Sequence, residues 1–145
     1  MNGELKPPIL GLDVGEIRTG VALSDPLHLT AQPQDTIEHK RQKEALQTVE
    51  SLIAERGVET VVVGWPRNLR GGTTRSTERA EAFAEALQHR CPRIEVILWD
   101  ERLSTAQAHS AMLGDKVRRK KRREKADTIA AVLILQNYLD CHRSA

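Results

Sequence analysis

The chain has 145 residues, 39% of them hydrophobic, with 22 basic and 20 acidic side chains for a net charge of +2. That length fits one domain with an ordinary buried core, and the absence of an 18-residue apolar run or a basic-then-apolar amino terminus argues against a membrane span or a signal peptide, so the expected location is cytoplasmic. Cys91 and Cys141 lack CxxC spacing and the five histidines are scattered, which points to reduced thiols rather than a disulfide or a zinc site. The charge is uneven. Residues 115–125 hold eight basic and two acidic residues, leaving fourteen basic against eighteen acidic elsewhere. Such a run is either a solvated loop or a contact for a polyanion; with aromatics at only 3%, recognition would rest on charge and shape rather than on base stacking.

The first predicted element is a strand from Pro8 to Asp13, followed by a Gly-bounded turn (Gly15 to Gly20) and a second strand, Val21 to Ser24, together a hairpin. A third strand is expected within Leu29 to Ile37, at an edge or interrupted because of Pro33. From Lys40 to Arg56, Ala45, Leu46, Val49, Leu52 and Ile53 recur at helical spacing, and Gly57 supplies a stop. Thr60 to Val63 is a continuous β-branched run of the kind buried on both faces, ended by Gly64 and Pro66. A loop from Trp65 to Thr74 precedes a helix with Ala80, Phe83, Ala84 and Leu87 on one stripe, and Ile94 to Trp99 is the last strand. Thr105 to Leu113 reads as a weaker helix, with Ser104 or Thr105 as its cap. Ala126 to Leu139 reads as a helix packed deep against the sheet, with Asp127 in its first turn, where a carboxylate suits the helix dipole.

A hairpin followed by β-α-β units implies a mixed α/β sheet with helices on its faces. Right-handed crossovers would put the strands ending at Gly64 and Asp100 on one side of the first strand, and ligands gather beyond the carboxyl ends of such parallel strands. Asp13 and the Asp100-Glu101 pair would meet there. With Asp127 they make a carboxylate set suited to hard divalent cations, hence to a metal-dependent phosphodiesterase. Asp100 and Glu101 point to opposite faces of an extended strand, so one binds metal while the other pairs with a base such as Arg102.

Four segments carry a family resemblance: GLDVGEIRTGVALSD (11–25), VVVGWPRNLRGG (61–72), WDERLST (99–105) and KADTIAAVLILQNYLD (125–140). In this order, through nearly the whole chain, they resemble the signatures of the YqgF/RuvX family of pre-16S rRNA nucleases and Holliday junction resolvase homologues. The resemblance implies an RNase H-like mixed five-stranded sheet with helices on both faces, as a single nuclease domain over residues 1–145. It implies cleavage of nucleic-acid phosphodiesters, with processing of the pre-16S rRNA 5′ end in ribosome biogenesis as the usual role. The active-site positions it carries over are Asp13, Glu101 and Asp127, which favours Glu101 over Asp100 as the metal ligand. Two departures bear on substrate contacts: Ile17 stands where the family often has Lys, and Arg70 where an Asp is common.

The chemistry supports these residue types. Hydrolysis of a phosphodiester builds charge on both the attacking and the leaving oxygen, and paired Mg²⁺ or Mn²⁺ ions about 4 Å apart neutralise it while lowering the pKa of a bound water. Asp13 would bridge them from the central strand. Arg18 beside the first turn, the loop residues Arg67, Asn68, Arg70 and Arg75, Arg102, and the run Arg118, Arg119, Lys120, Lys121, Arg122 and Arg123 are the expected nucleic-acid contacts. The substrate is structured or precursor rRNA, or branched DNA, with the protein a monomer or weak homodimer. Two other classes remain open: a noncatalytic RNA-binding assembly factor, and a nucleotide-binding module, since DxGxxxxG also resembles the phosphate turn of the actin and sugar-kinase fold.

Overall fold

Alternation of apolar residues sets the strands, and the two faces they create are covered by different helices. The computed structural model describes residues 5–66, 74–101 and 119–142, and, within the last of these, the side chains only from 129 onward. In chain order the described elements are β1 (Ile9–Val14), β2 (Arg18–Ser24), β3 (Ala31–Pro33), β4 (Ile37–Glu38), α1 (Gln42–Arg56), β5 (Thr60–Trp65), α2 (Arg75–Arg90), β6 (Glu95–Asp100) and α3 (Arg119–Cys141). They form a six-stranded sheet in the order β3-β2-β1-β5-β6, with β4 also paired to β2. β1 is antiparallel to β2 and parallel to β5, and β5 is parallel to β6.

The mixed sheet agrees with expectation, and the strand count exceeds it by one. The single strand expected between 29 and 37 is two short pieces on β2, with Pro33 at the edge of the sheet, where its missing N–H leaves no ladder bond unmade. The helix expected from Ala126 starts at Arg119. Asp127 therefore lies in the helix interior and not in the first turn, so the dipole argument for it fails. Arg119 to Lys125 belong to a helix rather than to a loop. The helix expected over Thr105–Leu113, its cap, and the stretch 67–73 lie outside the described residues.

On one face Leu10, Leu12 and Val14 of β1 and Val61 and Val63 of β5 pack against α1 and α2, whose stripes of Ala45, Leu46, Val49 and Ile53, and of Ala80, Phe83, Ala84 and Leu87, are buried as the helical spacing predicts. Thr74 caps α2 by accepting from Thr77 N–H at 3.2 Å, and the buried Thr77 hydroxyl donates to the Pro66 carbonyl. These bonds tie the start of α2 to the end of β5. On the other face Ile9, Ala22 and Val62 pack against Ala131, Ile134, Leu135, Tyr138 and Leu139 of α3. Trp99 of β6 meets Tyr138 edge-on at 5.4 Å, and Tyr138 stacks on His142 at 4.0 Å. The cysteines are free, Cys141 exposed and Cys91 half-buried, with burial pushing the Cys91 thiol upward.

α3 lies unusually close to the sheet because two glycines floor the contact. A methyl group at Gly11 would come within 2.7 Å of Leu135 Cβ and 3.3 Å of the Ala131 carbonyl, and one at Gly64 would strike the Ile134 side chain. The helix runs against β1. Tyr138 and Leu139 lie near Ile9, and Ala131 and Leu135 over Gly11, so its amino-terminal half approaches the carboxyl end of β1. Gly11→Ala should therefore lower stability by about 1–3 kcal/mol, because backbone and Cβ atoms cannot move aside as a flexible side-chain tip can. Thermal unfolding measures this, and an unchanged midpoint would refute the close contact.

Candidate active site

Pleat parity decides which side chains share the α3 face at the carboxyl ends of the parallel strands. On β1 that face carries Ile9, Gly11 and therefore Asp13; on β5, Val62 and Gly64; on β6, Ile97 and Trp99, and the alternation continues to Glu101. Asp100 falls with Val96 and Leu98 on the α1 and α2 side, opposite Trp65 in register. The structure thus separates the neighbouring pair by face and puts Glu101, rather than Asp100, on the side of Asp13.

Glu101 bends in over Gly64. Its Cδ would lie 3.4 Å from a Cβ at that glycine, so the carboxyl occupies space that any side chain there would fill. Sequence reading takes Gly64 as the stop of β5, but it sits inside the strand, and its role is to make room for Glu101 and Ile134. A glycine interrupting a β-branched run is the signal that marks such a close approach. The Glu101 carboxyl is pushed up to about 7 by burial first, then by the charges of Asp13 and Asp100. Two carboxylates, one on β1 and one just past β6, on either side of a strand with no side chain between them, repel each other when both are ionised.

Asp127 is one turn before Ala131 on α3. From Ala131 to Asp127 the helix rises about 6 Å, and from Gly11 to Asp13 the strand advances about 6.6 Å in the same direction, so the backbone of Asp127 keeps pace with Asp13. Its side chain is outside the described set. Among the described residues no three of His, Cys, Asp and Glu stand close enough to hold a metal ion. Asp13 and Glu101 are hard oxygen donors, the kind that Mg²⁺ and Mn²⁺ take.

The expected phosphate contacts divide into three groups. Arg18, half-buried, begins β2 just past the turn that follows Asp13, and Arg75, exposed, begins α2 at the carboxyl end of β5. Both stand at the same end of the sheet as the carboxylates. Arg79 of α2 reaches Glu16 in the hairpin turn at 3.9 Å, and the Trp65 indole donates to Glu81 at 3.1 Å, so α2 is braced against both β-strand ends. Arg119, Lys120, Lys121, Arg122 and Arg123 occupy the first turns of α3, with side chains outside the described set. Arg67, Asn68, Arg70, Arg102 and Arg118 lie outside the described residues.

The sequence model of the RuvX family, described as Holliday junction resolvase, matches residues 8–141. A Geobacillus kaustophilus protein named "Putative pre-16S rRNA nuclease" is 46% identical over 136 residues, covering 92% of this chain and 98% of its own. A protein of the same name from Acetivibrio thermocellus is 44% identical over 133 residues, covering 91% and 94%. Among solved structures, T. thermophilus RuvC in complex with a Holliday junction substrate superposes with a TM-score of 0.61 at 13% identity, over 96% of this chain and 98% of that one. The yeast mitochondrial Holliday junction resolvase Ydc2 gives 0.50 at 11%, over 90% and 77%. These resolvases share the RNase H-like fold, and their low identity carries the likeness no further. The family match spans every strand and helix that positions Asp13 and Glu101, and the chain belongs to the RuvX family.

Proposed function

We propose that this chain is a divalent-metal-dependent endonuclease, a single catalytic domain over residues 1–145 that hydrolyses nucleic-acid phosphodiester bonds and trims the 5′ end of pre-16S rRNA. The observation that carries this reading is the Asp13–Glu101 pair, two carboxylates at the carboxyl ends of β1 and β6, with Glu101 pushed up to about 7 by burial first and then by the charges of Asp13 and Asp100. A cation relieves that conflict, which is the fit expected of a metal site rather than of an ion pair within the protein. Asp13, Glu101 and Asp127 would hold Mg²⁺ or Mn²⁺, which supplies neutralisation of the developing charge and a more acidic attacking water. Gly64 and Gly11 let the carboxylates and α3 converge. Arg18 and Arg75 on either side of the site, with the basic start of α3, hold the phosphate backbone in line.

Ribosomal precursor RNA is the substrate favoured by the names of the relatives at 44–46% identity, and a cytoplasmic location accords with that substrate. No described helix is long and apolar enough to cross a membrane. A branched DNA junction is the second reading, motivated by the description of the matched family. The two are separated by offering both substrates to the same preparation.

Asp13→Asn should reduce cleavage of an end-labelled pre-16S leader by roughly a hundredfold or more in Mg²⁺, the equivalent of about 3 kcal/mol, while retaining binding. Wild-type cleavage should vanish in EDTA. Equal cutting by the variant, or by wild type in EDTA, would sink the metal-dependent reading.

The Glu101 carboxyl also predicts a pH signature. Its folded pKa lies above the usual 4.5, so its contribution to stability is fully present below about 4.5 and is lost as pH rises through about 7. In EDTA, wild type should melt several degrees lower at pH 8 than at pH 6 relative to Glu101→Gln, which keeps a neutral group in the same space. Added Mg²⁺ should restore wild type at pH 8 and leave Glu101→Gln little changed. Parallel pH profiles for the two proteins, with or without metal, would show that Glu101 is not a half-buried, charge-crowded group.

A further inference from the structure

The cations at the start of α1 sit where helix physics disfavours them. Residues 38–44 read EHKRQKE, and Lys40, Arg41 and Lys43 are all exposed around the first turn. The amino end of a helix carries partial positive charge, so it favours carboxylates and a Ser, Thr, Asp or Asn cap. Here Arg41 stands at the cap position. Only Glu44 follows the rule, its carboxylate accepting from the backbone N–H of Lys40 at 2.8 Å and of Arg41 at 3.3 Å. Three cations against the local preference suggest that something other than helix stability keeps them there.

Two observations give this charge a place. An open cavity of about 530 Å³ is lined by Ile17, Arg18, Glu38, His39, Lys40 and Glu44. His39 is a buried lining residue, 6% exposed, with Nε2 3.0 Å from the Thr19 hydroxyl and Nδ1 without a hydrogen bond of good geometry among the described residues. Glu44 is occupied by the backbone bonds above, and Glu38 is the register partner of Arg18. The cavity also opens at the active-site end of the sheet. Arg18 begins β2 just after the turn that leaves Asp13 and Val14, and β4 lies one strand further out. At about 4.8 Å per strand, it is roughly 10 Å from β1, about three base-pair rises along a duplex axis. Gln42 at the start of α1 donates to the Gly15 carbonyl at 2.9 Å, locking this surface to the turn beside Asp13.

We propose that Lys40, Arg41 and Lys43, beside Arg18, form a second phosphate-binding surface, which holds the nucleic-acid strand flanking the bond that is cut. The inference rests on the reading of the chain as a nuclease and extends it to residues on the far side of the hairpin from α3. The phosphate backbone is the ligand, whether of RNA or of DNA.

The test measures binding without cleavage, in the Asp13→Asn background with EDTA, to a labelled RNA duplex with a single-stranded extension and to a four-way DNA junction. Lys40→Gln/Arg41→Gln/Lys43→Gln is compared with Lys6→Gln/Arg56→Gln/Arg93→Gln, a charge-matched set at the amino ends of the parallel strands. The first triple should weaken binding at least about tenfold and flatten the slope of log Kd against log salt by roughly 2 to 3, since each lost phosphate contact removes about 0.7–0.9. Its thermal midpoint should equal or exceed that of the parent, because cations leave a helix amino end. The control triple should leave the slope unchanged. The RNA and DNA arms identify which backbone the surface prefers. If both triples shift binding equally, or neither does, while the parent binds, the second surface is overturned and the nuclease reading stands. If the parent binds neither probe, the nuclease reading falls as well.

Discussion

The close approach of α3 to the sheet over Gly11 and Gly64 is the contact on which the rest of this structure depends. Removing two side chains from the centre of β1 and β5 lets a helix backbone settle where a helix on a normal sheet would ride further out. The same absence of a side chain at Gly64 lets the Glu101 carboxyl lean toward Asp13. One steric fact therefore packs the larger part of the second core and creates the crowded pair of carboxylates. Stability and chemistry compete for the same few cubic ångströms.

That competition has a sign. A half-buried carboxyl within the field of two other carboxylates opposes folding at neutral pH unless a proton or a cation joins it. Sites of this kind favour occupancy by a positive charge because the empty site is the strained one. The surrounding frame absorbs the strain: β5 is buried along its centre, α1 and α2 lock its other face, and the Thr77 hydroxyl and the Glu81 carboxylate pin the strand end to α2. The side of the sheet packed on α1 and α2 thus has an apolar centre, and the side that carries Asp13 and Glu101 at its end is the one α3 covers.

The placement of basic residues follows the same polarity. Arg18, Arg75 and the start of α1 stand at the end of the sheet where the carboxylates lie. A polyanion approaching that end meets positive charge on both sides of an acidic centre, and cations at that centre would strengthen a hold that the basic residues already supply. Electrostatics of this arrangement favours a metal-loaded protein for binding as well as for cleavage.

Much of the fold was legible in the residues themselves. Alternation and β-branched runs mark β1, β2, β5 and β6, the helical stripes of α1 and α2 name their own buried faces, and acidic residues at strand ends mark the end of the sheet that matters. These signals are local, with periods of two or 3.6 residues, and survive without knowledge of neighbours. What lay outside them depended on which strands pair and on which face a helix covers. Only the packing of α3 showed that Glu101 shares a face with Asp13 while Asp100 does not, that Gly64 is a floor and not a stop, and that the last helix begins at Arg119, seven residues before its apolar stripe. Pattern fixes the parity of a strand but not its absolute face, because both faces of a central strand are apolar, and a charged helix start has no apolar period to announce it.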